Sequence, residues 1–416
     1  MASEEARVAG FEAISFWQDL CPELHCCEKQ DYLDAQRVEP VEDAQAGFAL
    51  NGYCRGRLSP ANVIEAKMEV LAICAQRLQF LGLHPNFLLM YDEAWNLHMA
   101  LLEFVRAHVH STMMPLLDAM VFLTQPGGRG WTIHRDRPEA ARDLAFRSDG
   151  SPRYVTTWLA VTDAPESNSC LYCLPRYEDP NFDHDVDDEV DEAGIEGKAL
   201  PCFHGDLICF SGRLLHWGGR SSTDKCRVAI SFAFSDPQSE ESIILSKVSE
   251  EETSSNTFAA LSFDARLALC CAQLLRYSGN ISLPPQLSRL CTCHMLARQS
   301  LFQCQEMLSF ILKDATWQSL LQDPLCNRVS KHAGKVKAFN NADAGLWSAL
   351  CSVLDDEALL ALDAEGEATS MLQSSDGSRI AVLSRESLQL CEWNDETGWQ
   401  ELVEIAYGNT SLAPSC

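Results

Sequence analysis

This chain predicts an α+β fold. It has a mainly helical N-terminal region (1–115), a β-rich core of barrel or sandwich type (116–240) and a C-terminal extension (257–416) that is helical to about residue 322 and then mixed with a short β-meander. Three observations predict it. Apolar residues recur at helical spacing in the first third and again after residue 257. Short runs rich in β-branched and aromatic residues, punctuated by Gly and Pro, fill the middle. A stretch rich in Ser and Glu, Ser246 to Asn256, separates the core from the C-terminal extension. At 416 residues the chain is longer than one average domain, which suits two or three units.

The N-terminal helices come first. Ser59-Pro60 opens one, with Pro suited to the first turn, and Val63, Met68, Leu71, Ala72, Leu78 and Leu81 follow at helical spacing. After Pro85 comes a short apolar run, Phe87 to Met90, and Trp95 to Met114 resumes the helical pattern. The core then reads as strands: Ala119 to Thr124, closed by the turn-rich Gln125-Pro126-Gly127-Gly128-Arg129-Gly130, then Trp131 to Asp136, Tyr154 to Thr162, Asp206 to Phe210 and Arg227 to Phe234. Many short strands without long intervening helices favour a barrel or sandwich. Between them, Glu178 to Gly197 holds ten carboxylates and no Lys or Arg, which reads as a solvated acidic loop. Beyond residue 257, Leu261, Ala265, Leu267, Leu269, Leu274 and Leu275 mark further helix. Ser375 to Ser378 and Trp393 to Trp399 place turns between β-prone stretches near the end.

Composition narrows the function classes. The formal charge of −27 disfavours nucleic acid and anionic membrane as partners, because phosphate contacts need clustered Lys and Arg. It mildly favours neutral or cationic substrates. Nothing approaches the roughly 18–20 apolar residues of a membrane span, and the acidic start Met1 to Arg7 does not resemble a secretory or transit signal, so the expected compartment is cytoplasmic. Nineteen cysteines, an odd number scattered through helical and strand segments, read as reduced and mostly buried thiols.

The chemistry rests on four positions. His134 and Asp136 stand two apart in Trp131-Thr132-Ile133-His134-Arg135-Asp136; on a strand both would point the same way and Arg135 the other. His216 comes from a distant segment. Two imidazoles and one carboxylate are the donor set of a non-haem Fe(II) site that keeps half its coordination sphere open for a 2-oxo acid and O₂. Arg227 opens the strand Arg227 to Phe234, where it shares a face with the small residues Ala229, Ser231 and Ala233. It is suited to a dianionic co-substrate such as 2-oxoglutarate, with Ser231 as an added hydroxyl donor. Trp131 and Trp217 flank the ligands, suited to packing or to a pocket wall.

Around these residues the sequence resembles the phytanoyl-CoA dioxygenase-like enzymes. Trp158 to Ala164, Asn168 to Pro175, and Gly205-Asp206-Leu207-Ile208-Cys209-Phe210 leading to His216 and Arg227 carry the likeness, over roughly 120–236. It implies a double-stranded β-helix core of jelly-roll or cupin-like type. It also implies Fe(II), 2-oxoglutarate and O₂ as reactants, ascorbate as an accessory cofactor, metal ligands at His134, Asp136 and His216, and a co-substrate salt bridge at Arg227. No catalytic residue beyond the metal ligands is implied. One departure stands out: the family usually has a Gly-Ser-His stretch after the proline, whereas Pro175 is followed by Arg176-Tyr177-Glu178 and the acidic loop. Acidic residues there argue against a polyanionic acyl-CoA and leave a small organic molecule as the expected substrate.

Other motifs point to less. Asp183-x-Asp185-x-Asp187 has the opening of a calcium loop, but Asp188 and Gly194 replace its Gly and Glu. Cys291-Thr292-Cys293-His294, with Cys270, Cys271 and Cys304, lacks zinc spacing. Gly127-Gly128-Arg129-Gly130 is no phosphate loop. Two functions compete with the oxygenase. One is a silent member of the fold acting as a scaffold, with the C-terminal extension as a surface for a protein partner. The other is a cupin-type metal enzyme that does not use 2-oxoglutarate.

Overall fold

The computed structural model describes residues 11–28, 36–138, 142–184, 195–240, 261–281 and 283–298, together with the backbone of five strands between 359 and 406. The chain divides into two compact units, Met1–Gln273 and Leu274–Cys416. The acidic residues 185–194, the 246–256 linker and the extension from 299 to 358 lie outside the described residues.

Among the described residues of the first unit nine strands make two sheets: β1 (Arg37–Pro40), β2 (Tyr53–Ser59), β3 (Met114–Thr124), β4 (Tyr154–Ala160), β5 (Leu171–Leu174), β6 (Lys198–Leu200), β7 (Asp206–Ser211), β8 (Leu215–Gly218) and β9 (Arg227–Ser235). The larger sheet runs β1-β2-β7-β4-β9-β3 and the smaller β6-β5-β8. All their pairings are antiparallel. The segment 129–134 joins the smaller sheet beside β8 through isolated bridges, Arg129 to Arg220 and His134 to His216. From β3 onward the chain passes back and forth between two facing sheets, with β5 and β6 consecutive in the smaller one, which is a double-stranded β-helix. Its interior holds Trp158, Ile208, Phe210 and Ala229 from the larger sheet against Leu171, Cys173 and Leu200 from the smaller.

Alternation along β9 assigns its faces. Arg227, Ala229, Ser231 and Ala233 face the interior side, while Phe232 and Phe234 turn outward onto the helix Asp92–His108. There the ring of His98 lies 4.9 Å from Phe232 and stacks on Phe234 at 5.2 Å. β3 slips register between Pro115 and Ala119 in a bulge that sets Leu117 at φ 62, and the carbonyl of Leu117 accepts from Gln273 Nε2 on the helix Phe263–Arg276. Arg266 of that helix forms a fully buried ion pair with Asp92, within the first unit.

Several sequence expectations are corrected. The region 1–115 contains two strands, β1 and β2, that periodicity did not signal. Residues 85–90 form a 3-10 helix. The helix expected to run to Met114 ends at His108, where the turn of His110 and Thr112 delivers Met114 to β3. Pro60 caps the helix Ala61–Phe80 instead of sitting in its first turn, and Val63 of that helix is exposed. Trp131 to Asp136 is not a regular strand, because Gly130 and Gly218 bring the chains together at one point and the backbone bends at Asp136.

In the second unit, Pro285–Ala297 is a helix and contains Cys291 and His294, both buried. Strands β10 (Leu359–Leu360), β11 (Ala368–Gln373), β12 (Arg379–Ser384), β13 (Ser387–Asn394) and β14 (Gly398–Ala406) pair in sequence order as an antiparallel meander. Trp393 stands opposite Trp399 in its last hairpin. Among the described residues no helix is long and apolar enough to cross a membrane.

Candidate metal centre

His216 sits in β8 and is held on one side by β5 (opposite Cys173) and on the other by the segment carrying His134. His134 and His216 exchange both backbone hydrogen bonds, each N–H donating to the other's carbonyl at 3.0 Å. Residues opposed in this way project side chains to the same face. Their rings lie 4.3 Å apart between centroids. Asp136 reaches the pair from the bend just beyond His134, not by strand alternation. Its Oδ1 is 3.3 Å from His134 Nε2 and 3.8 Å from His216 Nε2. One ligand atom from each residue lies within 4.8 Å of the others, and no other such group occurs among the described residues.

The two imidazoles are oriented by one device used twice. His134 Nδ1 faces the Thr132 carbonyl at 2.7 Å, and His216 Nδ1 faces the Leu214 carbonyl at 3.0 Å. A carbonyl only accepts, so each Nδ1 carries a proton and each Nε2 is turned to the cluster. Burial raises the Asp136 carboxyl, but His134, His216 and Thr156 outweigh it and hold the group ionised, below the usual carboxylate range. Burial, with His134 adding to it, pushes His216 down to about 4, so it stays neutral. For His134 burial is outweighed by Asp136, and its pKa is raised. The cluster therefore holds an ionised carboxylate, a neutral His216 and a His134 whose proton Asp136 favours; a divalent metal taking that proton's place would meet two imidazoles and one carboxylate, a donor set that suits it.

Arg227 is 2 % exposed. Its Nε donates to the Ser169 carbonyl and Nη2 to the Ser169 hydroxyl, each at 3.1 Å, and its guanidinium lies 5.5 Å from the Trp158 ring centroid. Nη1 is buried with no hydrogen-bond partner among the described residues. Burial brings its pKa down to about 10. A buried cation with an uncommitted donor is costly alone and favourable beside a carboxylate. Ser231 is half-buried on the same alternation of β9, opposite Trp158 and Met120. Trp131 packs 6.4 Å from His134, whereas Trp217 turns to the other face of β8 and stacks on Tyr172 at 5.9 Å.

Sequence reasoning missed four contributors. Thr156 on β4 lies 2.5 Å from Asp136 Oδ2, and Ser169 orients Arg227. Arg135, between the two ligands, forms a bidentate ion pair with Asp179 at 2.7 and 3.0 Å, almost wholly buried. Arg213 donates to the carbonyls of Asn181, Phe182 and His184. The start of the segment that departs from the family pattern is thus built into the site. Only the alternation Tyr154, Thr156, Trp158 on the interior face of β4 could have signalled any of these. The calcium positions Asp185 and Asp187 lie outside the described residues, while Asp183 pairs with Arg176 at 2.9 Å.

Residues 77–229 match the model of the phytanoyl-CoA dioxygenase (PhyH) family. Among solved structures the chain is similar to AviO1 from Streptomyces viridochromogenes Tue57 (18 % identity, covering 48 % of this chain and 96 % of that one, TM-score 0.38). It is also similar to SnoN, the non-heme alpha-ketoglutarate-dependent epimerase of nogalamycin biosynthesis (20 %, 46 % and 82 %, TM-score 0.35). With EvdMO1 it shares 18 % identity over 48 % of this chain, which spans only 56 % of that one, with a TM-score of 0.37. No curated protein matches the chain.

Proposed function

We propose that the protein is an Fe(II)- and 2-oxoglutarate-dependent oxygenase that hydroxylates a small organic molecule, a reading supported by the geometry of the centre and by the match of residues 77–229 to the phytanoyl-CoA dioxygenase model. The observation that carries this reading is the pairing of one metal-competent cluster with one buried, under-used arginine in the same β-helix. The donor set fits Fe(II), which takes two histidines and one carboxylate in oxygenases that leave positions open. The uncommitted Nη1 of Arg227 fits the far carboxylate of a dianionic 2-oxo acid.

In this assignment His134, Asp136 and His216 hold the metal. Arg227, steadied by Ser169, binds and orients the co-substrate, and Ser231 adds a hydroxyl beside it. The chemistry such a centre supplies is oxidative decarboxylation of 2-oxoglutarate by O₂ to succinate and CO₂, with the second oxygen atom delivered to a C–H bond as hydroxyl. The residues contribute orientation and exclusion of water: Phe210 covers His216 at 4.5 Å between rings, and Trp131 flanks His134.

The test is oxygen-free purification, loading with Fe(II) and 2-oxoglutarate, and measurement of succinate on admitting O₂. Succinate formation that Asp136→Ala abolishes supports the reading. Absence of both succinate and calorimetric 2-oxoglutarate binding by the metal-loaded wild type would sink it.

A further inference from the structure

A carboxylate can meet a metal through one oxygen or through both, and the two choices leave different numbers of positions for other ligands. In this centre the two oxygens of Asp136 have different surroundings. Oδ1 faces the Nε2 atoms of His134 and His216. Oδ2 is turned to β4, where Thr156 Oγ1 lies 2.5 Å away.

Thr156 is firmly placed. β4 is paired on both sides, with Thr156 opposite Phe210 of β7 and Ala233 of β9. A β-branched side chain on a paired strand has little χ1 freedom. Its hydroxyl owns a single proton, and an ionised carboxylate only accepts, so that proton goes to Oδ2. Tyr154 Oη lies 3.3 Å from the same Oγ1; the one Thr proton cannot serve both oxygens, so with it on Oδ2 a bond between the two hydroxyls has the phenol as its donor. The Tyr154 ring is covered by the Arg137 guanidinium at 4.1 Å, and Arg137 is clamped by Glu240 at 2.6 and 3.0 Å. A directed chain of donors therefore runs from Tyr154 through Thr156 to Asp136.

We infer that Thr156, backed by Tyr154, is a positioning residue that commits Asp136 to the metal through Oδ1 alone. The inference rests on the oxygenase reading in one respect: a one-oxygen carboxylate matters most where a chelating co-substrate and O₂ both need room. A hydroxyl bond on Oδ2 engages one of that oxygen's two lone pairs, lowers its basicity toward a metal and holds the carboxylate plane. Without it Asp136 is free to rotate and to offer both oxygens, at the expense of the chelator.

The experiment compares wild type, Thr156→Val, Thr156→Ser and Tyr154→Phe, each loaded anaerobically with Co(II). It reads the visible ligand-field spectrum, the Co(II) affinity, the 2-oxoglutarate affinity by calorimetry, and Tm. Expected for Thr156→Val is a weakened, shifted ligand-field band before co-substrate is added, and a loss of roughly tenfold in 2-oxoglutarate affinity. Thr156→Ser should restore both, and Tyr154→Phe should fall between. A Thr156→Val protein with the wild-type spectrum and wild-type co-substrate affinity overturns the inference. So does a Thr156→Ser protein as impaired as Thr156→Val, which would show that packing and not the hydroxyl matters. If wild type binds Co(II) but not 2-oxoglutarate, the oxygenase reading fails and the spectra alone decide the role of Thr156. Wild type that binds no Co(II) overturns both.

Discussion

Replacing Arg227 removes a cation whose two surroundings make separable demands. Toward the protein, Nε and Nη2 serve the carbonyl and hydroxyl of Ser169, a residue held at φ 55 whose hydroxyl also donates to the Gly219 carbonyl at 2.7 Å. Toward the proposed co-substrate, Nη1 is the uncommitted donor. In Arg227→Ala the Ser169 carbonyl loses its donor, a cost of about 1–3 kcal/mol, partly offset because a desolvated charge is also removed. Charge-assisted hydrogen bonds to a carboxylate contribute about 1.5–3 kcal/mol, so losing the Nη1 contact and its charge should weaken 2-oxoglutarate by about 3 kcal/mol at most, or up to roughly a hundredfold in Kd. Arg227→Lys keeps the charge and loses the planar fork, and should fall near tenfold. Titration calorimetry on anaerobic Mn(II)-loaded protein reads these values. Mn(II) affinity should stay as in wild type, since Arg227 is not one of the cluster's donors. A change in 2-oxoglutarate Kd below about threefold in Arg227→Ala would refute the assignment and show that another cation holds the dianion.

Three further outcomes are expected from the structure. Arg135→Ala or Asp179→Ala leaves one buried charge unpaired and should cost about 3–5 kcal/mol in urea unfolding, whereas the double variant Arg135→Met with Asp179→Leu should recover most of it; equal losses in single and double variants would contradict this. Gly218→Ala would place a Cβ 2.6 Å from Gly130 Cα and 2.9 Å from the Trp131 nitrogen, so it should part β8 from the segment bearing His134 and weaken metal binding tenfold or more; unchanged metal affinity would mean the bridge can shift without loss. Burial holds His98 down to about 3 and His84 to about 4, so the unfolded chain binds more protons between those values and about pH 6.5. Stability contributed by both is present above pH 6.5 and lost as pH falls toward 4, by about 1.4 kcal/mol per pH unit for each, and His98→Gln should reduce that slope by one proton's worth in denaturation series across pH 4.5–7.

How legible each part was in the sequence depends on what determines it. β4, β7 and β9 are dense in β-branched and aromatic residues and lie paired within the larger sheet, so local composition and tertiary environment agree. The face of β9 that carries Arg227 was readable for the same reason. β2 was hidden because Tyr53-Cys54-Arg55-Gly56-Arg57-Leu58-Ser59 carries two arginines and a glycine. Those arginines are satisfied only across the fold, Arg57 by Asp206 at 2.5 Å and Arg55 by the Pro201 carbonyl. The donor types of the centre were visible in His134, Asp136 and His216, yet the reason assigned to their convergence was wrong. A bend after a single bridge, not strand alternation, brings Asp136 in. Thr156 was legible only as an interior position of β4 and Ser169 not at all, because each acts through tertiary contacts that spacing does not encode.

The Arg135–Asp179 pair makes the two jobs of this region inseparable. The residue flanked by both proposed ligands is the same one that pins the loop after Pro175, so that loop and the segment carrying the proposed ligands are one mechanical part. Exchange of that loop between relatives would therefore disturb the centre unless Asp179 travelled with it. Its neighbours Tyr177, Glu178 and Pro180 are exposed. Variants at those three positions that keep Asp179 should leave the metal affinity of the cluster as in wild type.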